Sequence, residues 1–411
     1  MDTKKIIRVV LIGLCIMALG FSVPAVAQKK EILLGSILPL TGGDMELGYQ
    51  TLNGRILAVE KINAEGGIKS MGGATIKFIN TDHQGKPEIG LAEAERLVRQ
   101  GVKIITGPAM SGIGLVLGQF CEKNRILLVL TNCVGYELTQ QGFKYITRHH
   151  FNNKINVQDL FAYLDDLQKK TGVKVKTIGF LYENSIWGNT ATKFSRDESK
   201  TRGWEIVSDL SYPMGLTDAT MLVTKLKASN PDVLMSCAYV ADNILIMKTM
   251  AEKRYYVKSI ISPGSGMMSP GFVKQLGKAA EYWVGSAPSA TNPKLPGISQ
   301  VNEAYQKRFG HPMPDLAVLG YHGVMCLREA LEMAGSDDPD KVRQAYSKMY
   351  VPSGQKENHN HYAWKFDETG QNPEAHCMVS QIIDGKLTTV WPFAYASRDF
   401  VYPIPPWEKR L

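Results

Sequence analysis

Apolar runs typical of buried strands alternate with amphipathic helical patterns from residue 31 to about residue 280. The first strand candidate, 32–37, is followed by a helical pattern over 46–63, in which apolar side chains recur every three to four residues. Nearly continuous apolar strands that alternate with helices are typical of parallel sheets covered by helices on both faces. Because the alternation is longer than one sheet accommodates, we predict an α/β fold with two doubly wound parallel-sheet lobes.

The remaining elements follow the same alternation until the pattern changes near residue 290. Further strands are predicted at 76–80, 102–106, 127–130, 176–181, 232–237 and 259–262. Helices are predicted between them near 88–100, 112–123, 153–170, 188–202, 217–229 and 241–253. The last third is predicted to contain helices at 298–309, 315–334 and 338–348, and a β-hairpin formed by 378–383 and 387–391.

The N-terminus has the pattern of an export signal. Basic residues between Lys4 and Arg8 precede an apolar run over 9–21, and Ala25-Val26-Ala27 then supplies the small-x-small pattern that a signal peptidase accepts. The run of about 12 residues is shorter than the roughly 20 that a membrane-spanning helix needs. We therefore predict that residues 1–27 are a signal peptide cleaved after Ala27, and that the mature protein is periplasmic.

Composition and motifs argue against several classes of function. The chain carries a formal net charge of +8, and its lysines and arginines are scattered among acidic residues, which makes nucleic acid a poor partner. The first strand is not followed by GxGxxG, and the sequence contains no P-loop, GxSxG or HExxH. We therefore expect no catalytic residues, no cofactor and no enzymatic activity.

Five cysteines remain after removal of the signal, namely Cys121, Cys133, Cys237, Cys326 and Cys377. An odd number cannot all pair, and the sequence contains no CxxC. We interpret these cysteines as small buried apolar residues, although an oxidising compartment would permit a disulfide.

Several segments resemble one family of exported receptors. The sequence GSILPLTG at 35–42, Gly48, and AVEKINAEGGI at 58–68 resemble the leucine/isoleucine/valine-binding type of periplasmic substrate-binding proteins of ABC importers. Downstream matches are Thr81-Asp82, the helix at 88–100, Thr106-Gly107-Pro108 with Ser111, Glu137-Leu138-Thr139, and the segment from Tyr182 to Gly188. The similarity covers most of the mature chain, and the order and spacing of the segments are difficult to produce by chance.

This resemblance implies a type I periplasmic binding protein, in which three hinge crossings join two lobes around a ligand cleft. The first crossing is expected near 148–150, the second near 286–288, and the third between about 350 and 380. Lobe 1 would then contain 28–149 plus 287–365, and lobe 2 would contain 150–286 plus 366–411. The resemblance also implies a monomer whose partners are a small-molecule ligand and the membrane permease subunits of an ABC importer.

The candidate ligand residues of lobe 1 lie after predicted strands. Ser111 matches the family's carboxylate-binding serine at a helix N-terminus, where free N–H groups and partial positive charge suit an anion. A plain N-cap is the alternative role for this serine. The loop Thr131-Asn132-Cys133-Val134 is the next candidate, although Val134 stands where the family has a threonine hydroxyl. Leu47, in the first helix, completes the lobe 1 set.

The candidate residues of lobe 2 are two aromatics and a glycine. Trp187 matches an aromatic that closes over the ligand, and Tyr239 matches a second cleft residue; ordinary core packing is the alternative for both. Gly264 stands where amino-acid binders of the family have a glutamate for the ligand ammonium. Either Asp242 or another acid replaces that glutamate, or the ligand has no ammonium, in which case Met267 and Met268 offer an apolar wall.

Two further sets of residues have competing interpretations. Arg148, at the first crossing, could pair with a ligand carboxylate, or it could tie the lobes together. His359 and His361 have metal-like spacing, but no second ligand cluster accompanies them, so we predict a solvated loop and no metal site.

The function predicted from the sequence is therefore a solute receptor. Its ligand is either a branched-chain or hydrophobic amino acid or, given Val134 and Gly264, an aromatic or aliphatic carboxylate. A ligand-sensing module with the same fold is the alternative, since this architecture also serves receptors and regulators.

Overall fold

Two sheets built mainly from parallel strands organise the chain. The computed structural model describes residues 30–287 and 292–410, so the predicted signal peptide and Pro288 lie outside the described residues. The sheets are covered by helices, and the predicted fold class, with two α/β lobes of the type I arrangement, is confirmed. No helix within 30–287 or 292–410 is long and apolar enough to cross a membrane.

The first sheet contains only parallel strands, in the order β2-β1-β3-β4-β5. Its strands are β1 Glu31–Leu38, β2 Thr75–Asp82, β3 Ile104–Gly107, β4 Leu127–Leu130 and β5 Ile146–Arg148. The helices between them are α1 Met45–Ala64, α2 Pro87–Arg99 and α3 Ser111–Asn124. Strands β3 and β4 are buried along their whole length, as expected for central strands covered on both faces.

The second sheet adds an antiparallel hairpin to five parallel strands, in the order β14-β13-β10-β9-β8-β6-β7. Its strands are β6 Thr177–Glu183, β7 Glu205–Tyr212, β8 Val233–Cys237, β9 Ser259–Ser262, β10 Val284–Ala287, β13 Met378–Ile383 and β14 Lys386–Trp391. Its helices are α4 Asn153–Thr171, α5 Ile186–Thr201, α6 Thr220–Ser229, α7 Val240–Glu252 and α8 Pro270–Leu276. The predicted hairpin is confirmed.

The chain then returns to the first sheet through three helices. These are α9 Ile298–Phe309, α10 Asp315–Ala334 and α11 Pro339–Lys348, followed by the short pair β11 Tyr350–Val351 and β12 Trp364–Lys365. Helices α1 and α10 approach so closely that a Cβ on Gly54 would lie 1.9 Å from the Ala317 carbonyl oxygen. Only glycine permits this contact, which completes the core of the first lobe.

The sequence patterns missed β5, β7, β10, α8 and the two-residue strands β11 and β12. Strand β7 forms an edge of the second sheet and is mostly half-buried or exposed, so it has no continuous apolar run. Strand β5 has only three residues, and β10, with the sequence VGSA, contains no continuous apolar run.

The chain passes between the two sheets at three places. The first passage joins β5 to α4, the second follows β10, and the third leads from Gln371, which bridges to Arg148, to Met378. The tail packs on the second lobe, where the Trp407 indole donates to the Tyr255 carbonyl oxygen at 2.7 Å. The residue boundaries given above for the lobes remain predictions.

The segment around His359 and His361 is packed against the protein, so the prediction of a solvated loop is wrong. Asn358 and Asn360 are fully buried, and a ring nitrogen of His359 lies 2.7 Å from the Pro296 carbonyl oxygen. Burial lowers the pKa of His361 to about 4. Within the described residues, no three or more His, Cys, Asp or Glu side chains are grouped to hold a metal ion.

The five cysteines that follow residue 27 are buried, as predicted. All five are free thiols in buried positions, within the part of the chain that the structure describes. Burial raises the pKa of Cys133 to about 12, which keeps this thiol protonated.

Asp315, the first residue of α10, is a buried carboxyl whose charge opposes folding. Burial raises its pKa from 3.8 to about 7. Because the folded state holds this proton more tightly than the unfolded state, the stability from this group is present below pH 4. It is lost as the pH rises to 7, at about 1.4 kcal/mol per pH unit. We expect Asp315→Asn to match the wild type at pH 4 and to be more stable at pH 8, as measured by urea unfolding.

The matched control is Asp399→Asn, since the Asp399 side chain is 92% exposed. This variant should follow the wild type at both pH values. A stability difference between Asp315→Asn and the wild type that is the same at pH 4 and pH 8 would show that the Asp315 charge does not oppose folding.

Candidate ligand cleft between the lobes

A cavity of about 50 Å3 lies between the two lobes. Residues of both lobes line it, namely Leu47, Ala109, Ser111, Asn132, Val134, Phe151, Trp187, Tyr239, Pro263, Gly264, Ser286, Leu316 and Leu319. A buried water occupies roughly 10–15 Å3 on the same scale, so the closed cavity has room for only a small molecule. None of these lining side chains carries a charge.

The N-terminus of α3 forms one part of the lobe 1 wall. Met110 occupies the N-cap position without a side-chain hydrogen bond, and Ser111 is the first helical residue. The N-cap alternative for Ser111 is therefore wrong. Its hydroxyl instead accepts a hydrogen bond from the Gly135 N–H at 3.1 Å, and its own proton is available to another acceptor. Ala109, just before the helix, has a φ of 81°, a strained value for a residue with a Cβ.

The loop after β4 forms the adjoining part of this wall. The Asn132 side chain lines the cavity, and its Nδ2 donates to the Thr51 hydroxyl at 3.0 Å. Val134 also lines the cavity, and its side chain offers neither a donor nor an acceptor. Thr131 and Cys133 are fully buried but lie outside the lining.

Two aromatic rings in contact form part of the lobe 2 wall. The rings of Trp187 and Tyr239 have centroids 4.9 Å apart and are tilted by 47°. Trp187 stands in the first turn of α5, where Ser185 caps the helix by accepting from the Trp187 N–H at 3.1 Å. Asn153 holds the same residue from the hinge, since its Nδ2 donates to the Trp187 carbonyl oxygen at 3.2 Å. The Trp187 indole N–H is buried and has no hydrogen-bond partner among the described residues.

Gly264 lines the cavity in a backbone conformation that disfavours other residues. Its φ of 105° and ψ of −156° lie in a region that is essentially restricted to glycine. A glutamate at this position would require the backbone to change. Ser286 faces the same part of the cavity, and its buried hydroxyl has no hydrogen-bond partner among the described residues.

Asp242 does not replace the missing glutamate. Its carboxylate accepts hydrogen bonds from the Gly215 and Leu216 N–H groups at 3.0 and 2.8 Å, and it is absent from the cavity lining. Two other buried carboxyls, Asp44 and Glu183, are also absent from the lining. Burial raises the pKa of Asp44 to about 6 and that of Glu183 to about 7, and the charge of Asp242 adds to both shifts.

Of the two methionines expected to form an apolar wall, Met267 is fully buried in the core of the second lobe and does not line the cavity. The side chain of Met268 lies outside the described part of the chain.

Arg148 serves the hinge and does not line the cavity. Its Nε donates to Gln371 at 2.6 Å, which joins the first and third passages between the sheets. Its Nη1 donates to the carbonyl oxygens of Cys133 and Gly135 at 3.0 and 2.7 Å, and its Nη2 donates to the Thr139 hydroxyl. These contacts favour a role at the crossing over contact with a ligand, since Arg148 is absent from the cavity lining.

Contacts between the lobes hold the cleft closed. The Thr190 hydroxyl of α5 donates to Glu137 of the first lobe at 2.5 Å. The rings of Tyr136 and Phe194 meet edge to face at 5.1 Å on the same side. The two lobes therefore enclose the cavity from opposite sides.

Seven of the ten predicted site residues, Leu47, Ser111, Asn132, Val134, Trp187, Tyr239 and Gly264, meet around this cavity. Sequence reasoning did not name the six other lining residues as site residues, namely Ala109, Phe151, Pro263, Ser286, Leu316 and Leu319. Phe151 directly follows the first crossing, and this position could have identified it as a residue close to the cleft. Leu316 and Leu319 lie on α10, whose return to the first lobe brings them to the cavity, and nothing local in their sequence indicates that contact.

Comparison with known proteins places this geometry in a family. The family model described as "Periplasmic binding protein" matches residues 31–386. The Leu/Ile/Val-binding protein homolog 7 of Brucella melitensis is 30% identical over 391 residues, which cover 92% of this chain and 96% of that protein.

Two solved structures share the fold. The branched-chain amino acid transporter substrate binding protein LivJ from Streptococcus pneumoniae, in complex with isoleucine, has a TM-score of 0.76 and 21% identity, over 87% of this chain and 98% of its own. A solute binding protein of an ABC transporter from Rhodopseudomonas palustris, in complex with 3,4-dihydroxybenzoic acid, has a TM-score of 0.75 and 22% identity, over 92% and 99% of the two chains. The chain therefore belongs to the periplasmic binding protein family, as a type I member of the Leu/Ile/Val-binding group.

Proposed function

We propose that this protein captures a small apolar carboxylate without an ammonium group between its two lobes and delivers it to an ABC importer. The observation that carries this proposal is the cavity lining, which has no charged side chain but includes the N-terminus of α3. An aromatic or aliphatic acid fits such a site, because its body needs an apolar cavity and its carboxylate needs N–H donors.

The α3 N-terminus supplies what a carboxylate requires. The first N–H groups of a helix have no intrahelical partner, and the helix dipole places partial positive charge there. Ser111 adds a hydroxyl whose proton is available, and Ser286 and the Trp187 indole add buried polar groups that have no hydrogen-bond partner among the described residues. Anions bind readily at helix ends of this kind.

An α-amino acid meets a penalty at the same site. Its ammonium would lie in a cavity whose described lining has no carboxylate, because Gly264 replaces the family's glutamate and Asp242 is engaged elsewhere. Burying an ammonium without a counter-charge costs on the order of several kcal/mol. The two related structures bind isoleucine and 3,4-dihydroxybenzoic acid respectively, so both ligand classes occur on this fold. The lining of this chain favours the second class.

Transport is the role that the family and the export pattern support together. Periplasmic binding proteins are extracytoplasmic substrate-binding receptors, and closing two lobes over a ligand presents a new surface to a permease. Cleavage after Ala27, a periplasmic location, a monomeric state and docking on the permease remain parts of the proposal. A sensory module of the same fold would bind the same ligand, and loss of ligand uptake on deletion of the gene distinguishes transport from sensing.

Catalysis has little support in the lining. Its hydroxyl groups belong to Ser111, Ser286 and Tyr239, and the described lining contains no histidine, lysine or carboxylate to act as their base. We therefore propose binding without turnover.

A thermal-shift screen of the mature protein tests the proposal. Benzoate, 3,4-dihydroxybenzoate and 4-methylpentanoate should each stabilise the protein more than leucine does, and a ligand at 100 times its Kd adds about 2.7 kcal/mol. Recovery of each ligand unchanged after incubation would show the absence of turnover. Stabilisation by branched-chain amino acids alone, or conversion of a ligand, would contradict the proposal.

A further inference from the structure

Arg55 is a fully buried arginine of α1 with no ion pair in the described structure. Its side chain is 0% exposed, and it donates to the Ser36 hydroxyl at 2.7 Å and to the Thr131 hydroxyl. Its Nε has no hydrogen-bond partner among the described residues. Burial lowers the pKa of Arg55 to about 9, so the guanidinium is still a cation at neutral pH. A buried cation without a counter-charge is rare, because its desolvation opposes folding.

The position of Arg55 directs this charge toward the ligand cavity. Leu47, Thr51 and Arg55 are spaced by four residues and share one face of α1, of which Leu47 lines the cavity. Helical side chains lean toward the N-terminus of their helix, which for Arg55 is the direction of Leu47. Arg55 donates a hydrogen bond to the Thr131 hydroxyl. The next residue, Asn132, lines the cavity and donates to the Thr51 hydroxyl.

A second buried arginine, Arg148, contacts the same loop. Arg148 is 0% exposed, and its hydrogen bonds go to backbone carbonyls, Gln371 and Thr139, with no carboxylate among them. Both guanidinium groups therefore donate to residues of the loop 131–135, while the described lining of the cavity has no charged side chain. In a region of low dielectric, such charges act over a longer range than they do in water.

We propose that Arg55 is a specificity-determining residue, which retains the carboxylate of the ligand by its charge from behind the Thr131–Asn132 loop without touching it. This inference rests on the proposed function, and it assigns the anionic selectivity of that cleft to a residue outside the lining. Ligand binding then supplies the counter-charge that the folded protein lacks. Neutral ligands of the same shape gain nothing from this arrangement.

The test changes the charge while leaving the guanidinium in place. Ser36→Asp puts a carboxylate where the hydroxyl now lies 2.7 Å from Arg55, and Ser36→Asn puts an uncharged group of the same size there. Any effect of the larger side chain is common to both variants, so their difference reports the charge. We expect Ser36→Asp to bind benzoate at least tenfold more weakly than Ser36→Asn by calorimetry. This difference is about 1.4 kcal/mol. Equal affinities would overturn the inference.

A second pair of variants covers the case in which the Ser36 variants do not fold. Arg55→Lys keeps the charge and Arg55→Met removes it, so only Arg55→Met should lose benzoate affinity by tenfold or more. Equal losses in the two variants would assign Arg55 a packing role and overturn the inference. A wild-type protein that binds none of benzoate, 3,4-dihydroxybenzoate and 4-methylpentanoate would contradict the proposed function as well. A wild-type protein that binds them, with variants that do not differ, would contradict only the role of Arg55.

Discussion

Replacing Trp187 by alanine is expected to weaken ligand binding by about a hundredfold or more, which corresponds to roughly 2.7 kcal/mol. Trp187 is only 2% exposed in the closed arrangement, and it forms the cavity wall together with Tyr239. Truncation removes apolar contact area with the ligand and also a buried indole N–H that has no hydrogen-bond partner among the described residues. Isothermal titration calorimetry with 4-methylpentanoate or benzoate measures the effect.

The control for this variant is an aromatic residue far from the cavity. Tyr350 is 64% exposed and lies in the short strand β11, so Tyr350→Ala should leave affinity unchanged. Both variants should show the far-UV circular dichroism of the wild type. Trp187→Ala with wild-type affinity would remove this residue from the ligand site and, with it, the proposed position of the ligand.

Replacing Arg148 by methionine is expected to destabilise the protein by about 3 to 5 kcal/mol. The change removes the donors for two buried backbone carbonyls, those of Cys133 and Gly135, and it breaks the contact with Gln371 at the third passage between the lobes. Unsatisfied buried carbonyls lose their hydration without regaining a partner. Chemical denaturation of the ligand-free protein measures the loss.

Arg308 provides the matched control, because its side chain is 50% exposed and its ion pair with Glu60 lies on the surface. Arg308→Met should change the stability by no more than about 1 kcal/mol. If Arg148→Met were as stable as Arg308→Met but bound ligand far more weakly, Arg148 would be a ligand residue and not a hinge residue.

Most of the fold could be predicted because its central strands are buried on both faces. Strand β4, for example, is an unbroken apolar run, and the helix predictions at 298–309 and 315–334 match α9 and α10. Edge strand β7 lacks this signal, since solvent allows polar residues along it. Local patterns also contain no information on which lobe a helix joins. The return of α9–α11 to the first lobe was expected only from the resemblance to the family.

The candidate site, like the fold, could be predicted from the sequence only in part. Ser111, Asn132, Trp187 and Tyr239 were predicted from aligned family positions, and they lie around one cavity, although their contacts with a ligand remain predictions. Arg148 was named for its place at the hinge, but its distance from the cavity depends on the direction of its side chain, which spacing does not determine. The lone charge of Arg55 was not foreseen, because a single arginine in an amphipathic helix usually faces solvent.

Calorimetric titration of the mature protein with 4-methylpentanoate and with leucine isolates the one group on which the ligand assignment depends, because the two molecules differ only in the α-ammonium. A cleft without a charged lining should bind one 4-methylpentanoate per chain, at least about tenfold more tightly than leucine. Tighter binding of leucine would contradict the account and would require a carboxylate to approach the ammonium despite Gly264.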